Sequence, residues 1–155
     1  MPALQPPHYD TVSALTMLRR DVLVSGGKSD KSLRAYDVSS SQVRYLGAVN
    51  NAHTDQINCL VSDSTSVFSG GKDGYIKVWR QDDIAGDLRC HASLDGNATR
   101  TSVNDLTLLD ARFGQAVASA GIDKSIRIWQ MTGAEDLGNN KIRDAIDRPM
   151  APILT

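Results

Sequence analysis

The sequence contains few aromatic residues and few cysteines, and it has no long apolar run. Phe, Trp and Tyr make up 5% of its 155 residues, and its two cysteines, Cys59 and Cys90, lack CxxC spacing. Without paired ligands at zinc spacing, no metal or other cofactor is expected. No run approaches the roughly 18 apolar residues of a membrane-spanning helix, and the Pro-rich start does not resemble a signal peptide. These absences favour a cytoplasmic protein that is not inserted in a membrane.

The charge balance argues against a general nucleic-acid-binding protein. Lys and Arg number 17 against 18 Asp and Glu, which gives a formal net charge of −1. Proteins that bind the phosphate backbone draw their affinity from an excess of Lys and Arg. No nucleic-acid partner is therefore expected.

The chain does contain a unit that recurs three times. Within it, short β-branched and aromatic runs are separated by clusters of Gly, Ser and Asp, the pattern of strands joined by tight turns. An Asp stands six residues before an aromatic residue in every unit: Asp30 and Tyr36, Asp73 and Trp79, Asp123 and Trp129. The aromatic residues lie 43 and 50 residues apart, close to the WD40 period of about 40–45 residues.

These residues and spacings resemble the WD40 family over residues 8–147. The resemblance implies an all-β fold of the WD40 β-propeller type, with three four-stranded blades that form a partial propeller. The blades are expected at about 8–50, 51–98 and 99–147. A Pro-rich lead-in, residues 1–7, precedes them, and a tail, residues 148–155, follows.

Apolar runs and turn residues predict four strands, a to d, in each blade. The first blade is expected to use Val12–Met17, Val22–Ser25, Leu33–Asp37 and Val43–Val49. The second is expected to use Ile57–Val61, Val67–Ser69, Tyr75–Trp79 and Leu88–Ser93. The third is expected to use Val103–Leu109, Ala116–Ser119, Ile126–Trp129 and Lys141–Ile146, although a short helix over Ile142–Asp147 fits the last segment nearly as well. One additional residue predicts a wider turn at Asp30 than at Asp73.

In the WD40 family a His, a strand-b Ser or Thr, the turn Asp and the strand-c Trp form a hydrogen-bonded set. The resemblance implies a complete set in the second unit: His53, Ser69, Asp73 and Trp79. The first unit has His8, Ser25 and Asp30, with Tyr36 replacing Trp. The third has Ser119, Asp123 and Trp129, with Thr99 replacing His. A buried imidazole and a buried indole N–H both need such partners.

The same residue types also allow a Ser–His–Asp catalytic triad. A triad needs one nucleophile in a pocket, whereas this pattern recurs in each unit and lacks a GxSxG elbow. The structural role is favoured, the chain is expected not to be an enzyme, and a propeller hydrolase is the least favoured alternative.

Family propellers often bind partners on the face that carries the d–a and b–c loops. The resemblance places there the residues three and five positions after the His position and the residue before the turn Asp. These are Thr11, Ser13, Ser29, Gln56, Asn58, Lys72, Ser102, Asn104 and Ile122. The set is mostly polar, which suits a peptide backbone or a polar protein surface. Ordinary solvated loop residues are the alternative at each position.

A closer resemblance begins at Leu4–Asp10, which looks like the start of a late blade in kinesin-4 motors with a carboxy-terminal WD40 propeller. Asn51–His53 and Ile76–Trp79 fit the following blade. This implies a cytoskeletal interaction platform that binds tubulin, a cargo or an assembly subunit, located in the cytoplasm and extending to the cytoskeleton or cilium. The chain has no motor P-loop, so no ATPase activity is implied. The alternative is a structural subunit, for example of an axonemal complex.

Three blades cover only part of a ring, because propellers close with four to eight blades. The outer faces of the first and third blades are therefore expected to expose apolar side chains. An upstream segment or a partner protein is expected to supply further blades. Two copies forming a six-bladed ring is the third-ranked alternative.

Overall fold

The computed structural model describes residues 4–82, 87–95, 101–109, 116–130 and 144–145. Within them, twelve strands form three antiparallel four-stranded sheets. The first sheet contains β1 (Val12–Leu18), β2 (Val22–Gly27), β3 (Leu33–Asp37) and β4 (Arg44–Val49). The second contains β5 (Ile57–Ser62), β6 (Ser66–Gly71), β7 (Tyr75–Gln81) and β8 (Leu88–Asp95). The third contains β9 (Val103–Leu109), β10 (Ala116–Gly121), β11 (Ile126–Gln130) and β12 (Asp144–Ala145).

The predicted all-β fold with three four-stranded blades is confirmed, since each sheet follows chain order and the first eleven strands begin and end within two residues of prediction. The last strand was the ambiguous one. Asp144 and Ala145 pair with Trp129 and Ile128 of β11, as a strand and not a helix would. The rest of the segment predicted at 141–146, and the tail at 148–155, lie outside the described residues.

The turn between β2 and β3 is wider than its counterpart in the second blade, as the sequence predicted. Ser25 is opposite Arg34, nine residues on, whereas Ser69 is opposite Lys77, eight residues on. The residue after the turn aspartate adopts a left-handed conformation in each blade: Lys31 (φ 57°), Gly74 (φ 85°) and Lys124 (φ 65°). Glycine adopts this conformation at low cost, so the second blade has the least strained of the three turns.

Two apolar cores lie between the blades. The first joins Val24, Leu33 and other residues of the first blade to Ile57 and Trp79 of the second. The second core joins residues of the second blade to the third: Cys59, Phe68, Ile76, Val78 and Leu94 pack on Val103, Leu106, Val117 and Trp129. The middle blade is therefore buried on both faces, and every residue of β6 is buried. This explains why its strands are apolar with little alternation.

Neither cysteine forms a disulfide. Cys59 is buried between the second and third blades, and Cys90 is exposed on β8. Burial raises the pKa of the Cys59 thiol to about 12, with a smaller contribution from the charge of Asp105. Cys59 therefore packs as a small apolar residue.

None of the described residues belongs to a helix with the length and apolar character needed to cross a membrane. In the same part of the chain, no three His, Cys, Asp or Glu residues cluster in a way that could hold a metal ion.

Candidate functional site

The second blade contains a chain of four side chains joined by hydrogen bonds. The indole N–H of Trp79 donates to Oγ of Ser69 at 2.8 Å. Oγ of Ser69 lies 2.7 Å from Nε2 of His53. The other ring nitrogen, Nδ1, lies 3.0 Å from a carboxylate oxygen of Asp73. The structure thus brings together the four residues that the WD40 resemblance singled out in this unit.

With a neutral His53 imidazole, every polar group of these four side chains can donate or accept a hydrogen bond. A carboxylate can only accept, so we assign the ring hydrogen of His53 to Nδ1, which donates to Asp73. Nε2 then accepts from the Ser69 hydroxyl, and Oγ of Ser69 accepts from Trp79. Each buried polar atom of this four-residue set has a hydrogen-bond partner, which is the usual condition for a stable polar network in a core.

Asp73 also joins two loops at one edge of the blade. Its carboxylate accepts the backbone N–H of Thr54, before β5, at 2.8 Å, and that of Tyr75, after the β6–β7 turn, at 3.1 Å. Burial by itself raises the pKa of Asp73, but the interactions with His53 and these two N–H groups outweigh it and lower the pKa to about 2. The carboxylate therefore remains ionised at neutral pH and holds the d–a loop against the b–c turn.

Ser69, His53 and Asp73 have the connectivity of a catalytic triad, but the serine is closed off. Ser69 and His53 are 0% exposed, and Oγ of Ser69 already accepts a hydrogen bond from Trp79. A nucleophilic oxygen must reach the atom that it attacks, which requires open space beside it. This set is therefore suited to hold the blade together and not to attack a substrate.

The first blade repeats the network with one change. Nδ1 of His8 lies 2.9 Å from the Asp30 carboxylate, and Nε2 lies 2.7 Å from the Ser25 hydroxyl. Tyr36 replaces the tryptophan, and its hydroxyl donates to the carbonyl oxygen of Pro6 at 2.9 Å. Burial raises the pKa of Tyr36, which keeps the hydroxyl protonated as a donor. In this blade the strand-c aromatic residue therefore secures the lead-in segment.

The third blade pairs its turn aspartate with an arginine. Trp129 donates to Ser119 at 2.9 Å, as in the second blade. Asp123 lies 2.7 Å from the guanidinium group of Arg127, while Thr99, at the His position, lies outside the described residues. The sequence reasoning missed Arg127. A basic residue stands four positions after the turn aspartate in all three units, and this pattern was the available signal.

At the same edge of each blade, a backbone hydrogen bond joins the b–c turn to the residue before strand a. The turn N–H donates to that residue's carbonyl oxygen: Lys28 to Thr11 at 2.7 Å, Lys72 to Gln56 at 2.8 Å, and Ile122 to Ser102 at 3.1 Å. By this geometry the counterpart of Lys72 in the first blade is Lys28 and not the predicted Ser29, because the additional residue of the wider turn follows Lys28. The side chains of Lys28 and Lys72 are both exposed.

The nine residues expected on the binding face fall into groups with different surroundings. Five are exposed or half-buried near this edge: Thr11, Ser29, Gln56, Lys72 and Ile122. Three take part in contacts between neighbouring blades: Ser13, Asn58 and Ser102. The ninth, Asn104, is exposed on the third blade.

The contacts between blades follow a repeated pattern. The Ser13 hydroxyl donates to the carbonyl oxygen of Ile57, the first residue of β5, at 2.6 Å. The Asn58 amide donates to the carbonyl oxygen of Val103, the first residue of β9, at 2.7 Å, and to Oγ of Ser102 at 2.8 Å. Ser13 and Asn58 occupy the same position in successive blades, so one structural position links each blade to the next.

We expect Asn58→Ala to lower the free energy of unfolding by about 1 kcal/mol, because two acceptors of the third blade lose their donor. Lys72→Glu, on an exposed turn, should change it by less than about 0.5 kcal/mol. Chemical denaturation of both variants beside the parent measures the difference. If Asn58→Ala were as stable as the parent, the interblade amide would contribute nothing to stability.

The family model described as "WD domain, G-beta repeat" matches residues 45–80 and 88–130, just over half of the chain. Together with the three blades and their hydrogen-bonded sets, this match defines a WD40-repeat protein of the β-propeller class. The chain belongs to the WD40 family. Each matched span begins on the fourth strand of one blade and ends on the third strand of the next.

Relatives and solved structures agree with this class. The human "Kinesin-like protein KIF21A" is 31% identical over 147 residues, which are 92% of this chain and 8% of that protein. The "CCR4-associated factor 4 homolog" of Candida glabrata is 31% identical over 153 residues, which are 93% of this chain and 24% of that protein. The WD40 β-propeller domain of Doa1 superposes with a TM-score of 0.60 at 20% identity, covering 80% of this chain and 38% of that one. The resemblance to a kinesin-like protein is confirmed, and the chain spans a minor part of each of these proteins.

Proposed function

We propose that the chain is a non-catalytic protein-interaction platform of the cytoskeleton, and that its binding face carries the d–a and b–c loops. The observation behind this proposal is how that edge is built. Backbone bonds and the networks at Asp30 and Asp73 fix the loops, while the side chains of Lys28, Lys72 and Ile122 remain exposed. Loops that are ordered before binding lose less conformational entropy when a partner docks.

The cytoskeletal part of the proposal rests on the similarity to the human kinesin-like protein, which extends over 92% of this chain. The partner that we propose is tubulin or a cargo protein. The exposed lysines of the first two b–c turns suit a partner surface with an excess of acidic groups, since complementary charge speeds encounter and fixes orientation.

The test is co-sedimentation with polymerised tubulin. We expect the parent to pellet with it and the double variant Lys28→Glu/Lys72→Glu to bind about tenfold more weakly, because each reversal replaces an attraction with a repulsion. Arg19→Glu/Arg20→Glu is the matched control, since it changes the charge equally on the β1–β2 turn at the opposite edge. If both double variants bind as the parent does, the binding face lies elsewhere. If the parent does not bind tubulin, the tubulin assignment is wrong.

A second candidate function is that of a structural subunit whose blades complete a larger assembly. The observation that favours it is the exposure of apolar side chains on the outer blades, such as Leu15 and Ile126. Repeating the co-sedimentation at increasing salt concentration distinguishes the two candidates. Stoichiometric, salt-resistant association indicates a structural subunit, whereas exchangeable, salt-sensitive binding indicates a platform that uses its lysine-bearing loops.

A further inference from the structure

The third blade presents outward the surface that the first two blades bury. Leu33, Ile76 and Ile126 hold the same position on the third strand of their blades. Leu33 and Ile76 are 0% exposed beneath the next blade, whereas Ile126 is 67% exposed. Ile128, two residues further along β11, is also exposed. Burial of apolar side chains stabilises a protein, so this face favours a covering sheet.

The first blade presents the complementary surface. Leu15, Leu60 and Leu106 hold the same position on the first strand, since each is opposite the strand-b serine of its blade. Leu106 is 7% exposed against the preceding blade, and Leu60 is half-buried there, whereas Leu15 is 61% exposed. Val12 and Met17 of the same strand are exposed as well. This face has the aliphatic character of the faces that dock onto a preceding blade inside the chain.

The polar link between blades also has a third position, on the last blade. Ser13 and Asn58 each donate to the first residue of the next blade's inner strand. Asn104 is the third residue of this series, and it is exposed; its side-chain oxygen accepts the hydroxyl of Ser102 in its own blade at 3.2 Å, so only its amide N–H groups would serve as donors to a further blade. A blade docked on the third blade in the usual way would place an inner-strand carbonyl oxygen beside it.

We propose that two copies of this chain associate head to tail, with the first blade of each copy docked on the third blade of the other. The argument is continuity with the two interfaces inside the chain, because each terminal face is one half of that same interface. In the complex, Leu15 of one copy covers Ile126 of the other, and Asn104 donates to the carbonyl oxygen of Val12. Two such contacts related by a two-fold axis give six blades, within the four to eight with which propellers close.

Sedimentation velocity at micromolar concentration tests the proposal. The parent should sediment as a species of twice 16.8 kDa, about 34 kDa. Leu15→Glu and Ile126→Glu should each sediment as monomers, since each variant carries a charge into both contacts of its own dimer. The matched control is Val43→Glu, at an exposed position before β4, and it should remain dimeric. Far-UV circular dichroism and thermal melts confirm that the variants are folded.

Mixing the two monomeric variants gives the sharper result. A mixed dimer contains one contact between two unaltered faces, so the mixture should recover dimer where neither variant alone does. The absence of recovery would overturn the head-to-tail arrangement. A folded parent that is monomeric, a dimer that persists in both variants, or a parent that is monodisperse only when another polypeptide is co-expressed would also overturn the proposal.

Discussion

Asp73→Ala is expected to lower the free energy of unfolding by about 1–3 kcal/mol, because it removes the acceptor of several donors at once. The ring N–H of His53 and the backbone N–H groups of Thr54 and Tyr75 all lose their partner, and the Asp73 side chain is only 5% exposed. Urea denaturation measures the loss. The control is Asp37→Ala, whose carboxylate lies near the surface, where it accepts the Ser39 N–H and pairs with Arg44; this variant should lose less stability than Asp73→Ala, because solvent screens exposed pairs.

The Asp73 contribution should also depend on pH in a defined direction. The folded pKa is lowered from 3.8 to about 2, so the folded state binds fewer protons than the unfolded state over that range. Stability from this group is therefore complete above about pH 4 and is lost as the pH falls toward 2. The stability difference between the parent and Asp73→Ala should shrink over this window. A difference that stays constant from pH 6 to pH 2 would contradict the ionised pairing.

Gly71→Ala is expected to destabilise the protein by about 2–4 kcal/mol, the sum of overpacking and a weakened hydrogen bond. A methyl group at this position would overlap both Nδ1 of His53 and the carboxylate of Asp73. Both of these side chains are buried and bonded, so neither can move away cheaply. Differential scanning calorimetry or urea denaturation measures the effect.

Two companion variants make this experiment specific. A methyl group on Gly47 would meet only the carboxylate end of Asp87 at 2.6 Å. That end can rotate, so Gly47→Ala should cost less than about 1 kcal/mol. Gly71→Ala combined with His53→Ala should cost less than the two single changes together, because removing the imidazole relieves the overlap. If the two costs simply added, the overlap with His53 would not be the cause.

The strands were predictable because their signals are local. β-branched runs bounded by Gly, Ser and Asp mark strand ends, and these signals located eleven strands to within two residues. The residues of the second blade's network, such as His53 and Trp79, came from a match to the WD40 pattern at each position. The structure places them within hydrogen-bonding distance of Ser69.

The relations between blades were less predictable. The WD40 resemblance placed Asn58 on a binding face, but its amide bonds to the next blade because the two inner strands run side by side. The residue directly before the turn aspartate was expected on the binding face, and in the first blade that residue is Ser29. The sequence does not show where in the wider turn the additional residue lies. Lys28 was identified only when its backbone bond to Thr11 was known.

The offset between sequence repeats and sheets bears on how such chains can change length. Residues 45–80 supply the outer strand of one sheet and the inner three of the next. If the gene segment for one repeat were duplicated in tandem, the new copy would complete the sheet before it and begin another. The sheet that follows would still receive its own outer strand. Repeat number can therefore rise or fall by one without leaving any internal sheet a strand short, so ring size is open to evolution by simple recombination.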